Sequence, residues 1–182
     1  MNKFLLTILL YCLSVTAVRP VQAQIIESDS AASLVSTQFT VDSRITQLKA
    51  YLMTKNKNLV NDSEFFVSEA DRVHIDWRLV AAIAGLESSF CLHIPNGSYN
   101  CWGWGIPGGA EHGIGFTSFR DGITVVSEGL RDRYINEGRI SLDQIGSMYA
   151  ASPTWASRVR FFMNDIENYR SLADSLEPSI NL

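Results

Sequence analysis

A single carboxylate at the end of a long apolar run is the side chain best placed for acid–base chemistry. In Trp77-Arg78-Leu79-Val80-Ala81-Ala82-Ile83-Ala84-Gly85-Leu86-Glu87-Ser88-Ser89-Phe90, the stretch from Leu79 to Leu86 carries no charged or polar side chain, and Glu87 is the first carboxylate after it. A helix that is apolar all round belongs inside a domain. With the helix ending near Phe90, Glu87 falls in its last turn, where the negative end of the dipole and poor solvation both disfavour ionisation. A carboxyl kept protonated near neutral pH serves as a general acid. The alternative for a helix-end Glu is a solvated cap. Asn96-Gly97-Ser98-Tyr99-Asn100-Cys101-Trp102-Gly103-Trp104-Gly105 follows closely and favours chemistry. Its amides and aromatics suit the edges and faces of sugar rings.

Cleavage of a glycosidic bond usually takes two carboxylates, spaced for direct attack or for an intervening water. After Glu87 the next acids are Glu111, in a glycine-rich segment, then Asp121 and Glu128 on a predicted helix. Glu111 is the candidate base, with a solvated loop residue as its alternative. His93 and His112 flank the loop, but their spacing with Glu111 matches no metal motif, so no metal site is read there. The sequence carries no phosphate-binding loop, nucleophile elbow or CxxC pair, and no cofactor is expected.

The chain has 182 residues, room for one domain with a real core. Met1-Asn2-Lys3, the apolar run from Phe4 to Val18 and Val21-Gln22-Ala23 predict a secretory signal peptide over residues 1–23, cleaved after Ala23. The run is short for a membrane span, so the expectation is export to the periplasm, cell envelope or outside, with no stable span after cleavage. Cleavage removes Lys3 and Arg19 and no acid from 15 basic and 19 acidic residues, leaving 13 against 19, a net charge of about −6. That balance argues against nucleic acid, whose binding needs a basic patch. Cys12 leaves with the signal. The remaining pair, Cys91 and Cys101, favours a disulfide in an exported chain. It would close a short loop after Glu87, contributing about 3 kcal/mol.

Residues 24–40, rich in Ser, Ala, Thr and Gln, read as a flexible lead-in, residues 41–176 as a single domain and 177–182 as a tail. Ile45, Leu48 and Leu52 after the cap candidate Asp42 predict a first amphipathic helix. Asn61-Asp62-Ser63 introduces a second, with Phe66, Ala70 and Val73 on one face and His74 at its end. Asp76 is the predicted N-cap of the central helix. Cys91 to about Thr117 collects glycines and prolines into a long loop with at most short strand pairing between Trp102 and Phe116. Ser118 opens a helix bearing Ile123, Val126, Leu130 and Tyr134 and stopped by Gly138. A short helix starts at Ser141 and breaks at Tyr149-Ala150-Ala151-Ser152-Pro153. Trp155, Val159, Phe162, Met163, Ile166 and Tyr169 mark a closing helix. The expected fold is mainly α: about six helices around a central buried one, with the Gly/Trp-rich loop or a small sheet as one cleft wall.

Four segments then point to a family: Glu87-Ser88-Ser89-Phe90, Tyr99-Asn100-Cys101-Trp102-Gly103-Trp104-Gly105, Phe119-Arg120-Asp121-Gly122-Ile123, and Tyr149-Ala150-Ala151-Ser152-Pro153 with Trp155-Ala156. Together, across about Ser63 to Ile166, they resemble the lysozyme-like domain of endo-β-N-acetylglucosaminidases, the mannosyl-glycoprotein endo-β-N-acetylglucosaminidase-like type of glycoside hydrolase family 73. Glu-Ser after an apolar helix is shared with lytic transglycosylases; Tyr-Ala-x-x-Pro points to the glucosaminidases. The resemblance implies a lysozyme-like α+β fold, mostly α, that cuts the β-1,4-linked N-acetylglucosamine strands of peptidoglycan. Carried over, Glu87 is the general acid and Tyr149 turns its hydroxyl to the cleft. Ser88, Tyr99, Trp102, Trp104 and Trp155 contact substrate, Trp102 and Trp104 as cleft walls. A core position is the alternative for Tyr149 and for Trp102 and Trp104. The expected partner is the glycan strand and the expected state a monomer. The pattern lacks an evident second carboxylate. Hydrolysis assisted by the substrate's acetamido group, a lytic transglycosylase and a non-catalytic peptidoglycan-binding protein therefore remain open.

Overall fold

The computed structural model describes residues 42–105 and 113–169. The proposed signal peptide, lead-in and tail, and Glu111 and His112, lie outside the described residues. Within them the chain is mainly helical, with six α-helices and no strand: α1 (Ser43–Lys55), α2 (Ser63–Val73), α3 (Leu79–Ser88), α4 (Phe119–Leu130), α5 (Leu142–Tyr149) and α6 (Trp155–Asn168). A 3-10 turn over Lys57–Asp62 leads into α2, and a π-helical turn over Arg131–Ile135 extends α4. None of the helices among the described residues is long and apolar enough to cross a membrane.

Local chemistry explains most boundaries. The Asp42 carboxylate accepts from the Arg44 amide at 2.9 Å and starts α1, whose Leu48, Tyr51 and Leu52 are buried. His74 ends α2 in the left-handed conformation, φ 57°. Ser118 caps α4 through the Asp121 amide, and Ser141 with Gln144 forms a capping box on α5. Each cap satisfies an amide that the first helical turn leaves without a partner.

Asp76 departs from its expected role. It holds the Arg78 amide at 2.9 Å and the Arg78 guanidinium as well, so residues 76–78 form a turn and α3 begins only at Leu79. From Leu79 to Gly85 every residue of α3 is buried. This is the central helix, and α6 is the element packed most extensively along it.

Trp102 and Trp104 are core residues, 0% and 6% exposed, which corrects the reading of Trp102 as a cleft-wall platform, whereas Trp104, packed as it is, still lines a surface groove. Each ring is seated on a glycine of α4. A Cβ on Gly122 would stand 2.4 Å from Cζ3 of Trp102, and one on Gly129 2.1 Å from Cζ2 of Trp104. The two glycines lie seven residues apart, two turns along one helix face. Gly-to-Ala in a helix ordinarily gains up to about 1 kcal/mol. Here overpacking of about 1–3 kcal/mol opposes that gain, so Gly129→Ala is expected to lower stability. Urea unfolding checks the sign: a stabilised variant would mean that Trp104 is not held against α4.

Candidate functional site

The end of α3 is built under strain. Ser89, Phe90 and Cys91 follow one another at φ 53°, 58° and 67°. For non-glycine residues such left-handed backbone costs roughly 1–2 kcal/mol each, and it persists only where the surroundings over-determine it. The Phe90 ring lies where a Cβ on Gly85 would be, 2.5 Å from its Cζ. The Phe90 amide reaches back to the Ala84 carbonyl at 3.0 Å, while the Phe90 carbonyl accepts from Nδ2 of buried Asn56 at 2.8 Å. Cys91 is tied to Cys101 by the expected disulfide, Cα to Cα 4.7 Å. Ser88 completes the joint: its Oγ accepts from the Cys91 amide at 2.9 Å and donates to the Cys101 carbonyl at 2.8 Å. At 5% exposed, Ser88 is a structural tie between helix and loop rather than a substrate contact.

This joint presents Glu87. The residue is solvent-accessible, and its Oε1 accepts from the Trp155 indole N–H at 2.8 Å. Crowding of the carboxyl by the packed chain raises its pKa above the ordinary 4.5, against the opposing pull of the Trp155 N–H and the Arg158 charge. Trp155 itself is 3% exposed, with Gly146 of α5 making room for its ring. It therefore positions Glu87 instead of stacking on a sugar.

Tyr149 stacks on Trp155, centroids 4.7 Å apart and planes at 28°. Its ring continues towards Trp104 at 5.8 Å and Tyr134 at 6.1 Å. The expectation of a hydroxyl turned to a cleft is corrected: the phenol donates to the Trp102 carbonyl at 2.7 Å. Burial, then the nearby Glu87 and Tyr134, push its pKa well above 10. Tyr149 is a neutral spacer that pins the loop to α5. Tyr99 is exposed at φ 50° and packs edge-on to Phe119 at 5.2 Å, so its contacts are with α4 and not with the Glu87 group.

Beside this ladder lies a groove of about 230 Å³, lined by Gly103, Trp104, Gly105, Arg133, Tyr134, Met148 and Tyr149. Tyr149 belongs both to the groove and to the stack that holds Glu87. Arg133 and Tyr134 come from the π-helical turn, a distortion found frequently at functional sites. Among the described residues the groups that lower the Glu87 pKa are Trp155 and Arg158, and no carboxylate there shifts it.

The loop that forms one side of the groove owes its order to Asn100, whose centrality the sequence reading missed. Its Nδ2 donates to the Trp104 carbonyl at 2.8 Å and the Ile114 carbonyl at 2.9 Å, and its Oδ1 accepts from the Trp102 and Trp104 amides at 3.2 and 3.0 Å. A buried side-chain amide thus takes the place of the small sheet that the loop allowed. One available signal was an Asn between two glycine-flanked aromatic segments, the setting in which an amide substitutes for backbone pairing. Tyr134 reads in the sequence only as the last position of a helical face, and nothing there marks it or Arg133 as a groove residue, because the π turn that presents them has no spacing signature of its own. No protein-family model matches the chain, and no curated protein matches it.

Proposed function

We propose that the chain is an exported glycosidase of endo-β-N-acetylglucosaminidase type, on a lysozyme-like domain, that cleaves the β-1,4-linked N-acetylglucosamine strands of peptidoglycan. The observation that carries this reading is the Glu87 carboxyl. It has a raised pKa, hangs from the end of a buried helix, is fixed by Trp155 and is joined through Tyr149 to an aromatic groove.

The chemistry follows from those contacts. Protonated Glu87 donates to the leaving glycosidic oxygen, and negative charge grows on its carboxylate as the proton departs. The Trp155 N–H and Arg158 stabilise that charge, so their interaction strengthens towards the transition state. The route we infer is attack on the anomeric carbon by the substrate's own acetamido oxygen, which needs no second carboxylate beside Glu87. Water then opens the resulting ring, with Glu87 accepting a proton as base. The same general acid also suits a lytic transglycosylase, in which a hydroxyl of the sugar attacks instead.

Mass spectrometry of strands released from purified peptidoglycan tests the proposal. Reducing N-acetylglucosamine ends, with water added across the broken bond, are the expected result. Anhydro ends would replace hydrolysis by transglycosylation. Adsorption to the wall with no soluble product would leave only a glycan-binding module.

A further inference from the structure

We propose that Arg133, supported by Arg139, reads a carboxylate on the bound glycan. The groove would then take strands bearing lactyl or stem-peptide carboxylates in preference to neutral N-acetylglucosamine polymers. This deepens the glycan reading and rests on it.

The arginines of the described chain sort by partner. Arg44, Arg72, Arg78, Arg120 and Arg160 are each held by at least one carboxylate, and Arg131 donates to the His74 carbonyl. Arg158 acts on Glu87. Arg133 has no carboxylate partner among the described residues: it lies over the Trp104 ring, 5.9 Å from its centroid, and lines the groove. Asp132, the acid beside it in sequence, is occupied by the Asn136 side chain at 3.1 Å. The Arg139 amide donates to the Tyr134 carbonyl at 2.9 Å, which returns the backbone at Arg139 to the same turn, and the charges of Arg133 and Arg139 both act on the Tyr134 phenol. A guanidinium resting on an aromatic face keeps its N–H edge free, and that edge matches a carboxylate bidentately.

The backbone is shaped to this end. The Asn136 amide reaches the Arg131 carbonyl at 2.8 Å, five residues back, and the widened turn sets the angle at which Arg133 and Tyr134 leave the helix. The overall charge makes the arrangement meaningful. An exported chain with 13 basic against 19 acidic residues repels an anionic polymer, so binding one requires cations concentrated where the polymer lies. Arg133 supplies one in the groove, and Arg158 acts on Glu87 itself.

The test uses binding without turnover, in the Glu87→Gln protein. Calorimetry compares two soluble oligomers of equal length: one alternating N-acetylglucosamine with N-acetylmuramic acid, the other N-acetylglucosamine alone. The acidic oligomer is expected to bind roughly tenfold or more tightly, with the preference shrinking as salt rises and vanishing when its carboxyls are amidated. Arg133→Gln should bring the acidic oligomer down to the affinity of the neutral one, and Arg133→Lys should restore part of the difference. Equal affinities in the protein that retains Arg133 overturn this inference and leave the glycan reading standing. A preference that survives Arg133→Gln combined with Arg139→Gln overturns it too. Failure to bind either oligomer removes the glycan reading itself.

Discussion

Glu87→Gln is expected to slow glycan cleavage by roughly 10²–10⁴-fold, the range for loss of a general acid. Gln has nearly the size of Glu and its amide oxygen can still accept from the Trp155 N–H, so the site keeps its shape and loses only the proton. Stability should move the other way. Folding raises the Glu87 pKa above its ordinary 4.5, so the folded state holds this proton more tightly than the unfolded state. Wild-type stability therefore falls as pH rises from about 4.5 through the folded value. Gln does not ionise. The variant should be more stable than wild type at neutral pH, and the difference should fade below about pH 4. Loss of activity with a gain in stability is the pattern of a functional residue held under electrostatic tension. Muropeptide release and thermal unfolding of both proteins across pH check the pair, and equal release would take Glu87 out of the mechanism. Trp155→Phe supplies the complementary arm. Without the indole donor the Glu87 pKa rises further, so the alkaline limb of kcat/KM moves to higher pH. The plateau rate drops, because the developing carboxylate loses a partner.

What could be read from the chain, and what could not, divides by the range of the interactions. Asp42, Ser118 and Ser141 announce their helices because a cap acts within three residues. The buried run from Leu79 to Gly85 is equally legible, since a helix without a polar face has nowhere to go but the interior. Glu87 stands out for the same local reason. Its holder does not: Trp155 lies 68 residues further on, and nothing in either segment announces the pairing.

The tryptophans show the sharper ambiguity. A sugar platform and a core plug have the same composition, glycine beside an aromatic ring, and they differ only in what the ring meets. The answer lay outside the loop, in the seven-residue spacing of Gly122 and Gly129, which opens two seats on α4. The left-handed run from Ser89 to Cys91 gives no sequence signal at all, because none of these residues is glycine. It is imposed by Asn56, Phe90 and the disulfide acting together.

Asn100→Asp is expected to lower stability by on the order of 3 kcal/mol at neutral pH. The substitution keeps both acceptor contacts, with the Trp102 and Trp104 amides, and converts both donor contacts, with the Trp104 and Ile114 carbonyls, into oxygen facing oxygen. A carboxylate there is disfavoured, so its folded pKa rises above the unfolded value of about 3.9. The deficit should consequently be small below pH 4, where a protonated Asp supplies one donor, and should grow as pH rises. Cleavage activity should decline with it, because Trp104 and Gly105 line the groove and depend on this amide for their position. Urea titrations of wild type and variant at pH 4 and pH 7 separate the possibilities. A deficit that does not depend on pH, or one below about 1 kcal/mol, would mean that the disulfide alone orders the loop. In that case the groove wall would be set by Cys91 and Cys101 rather than by a buried amide.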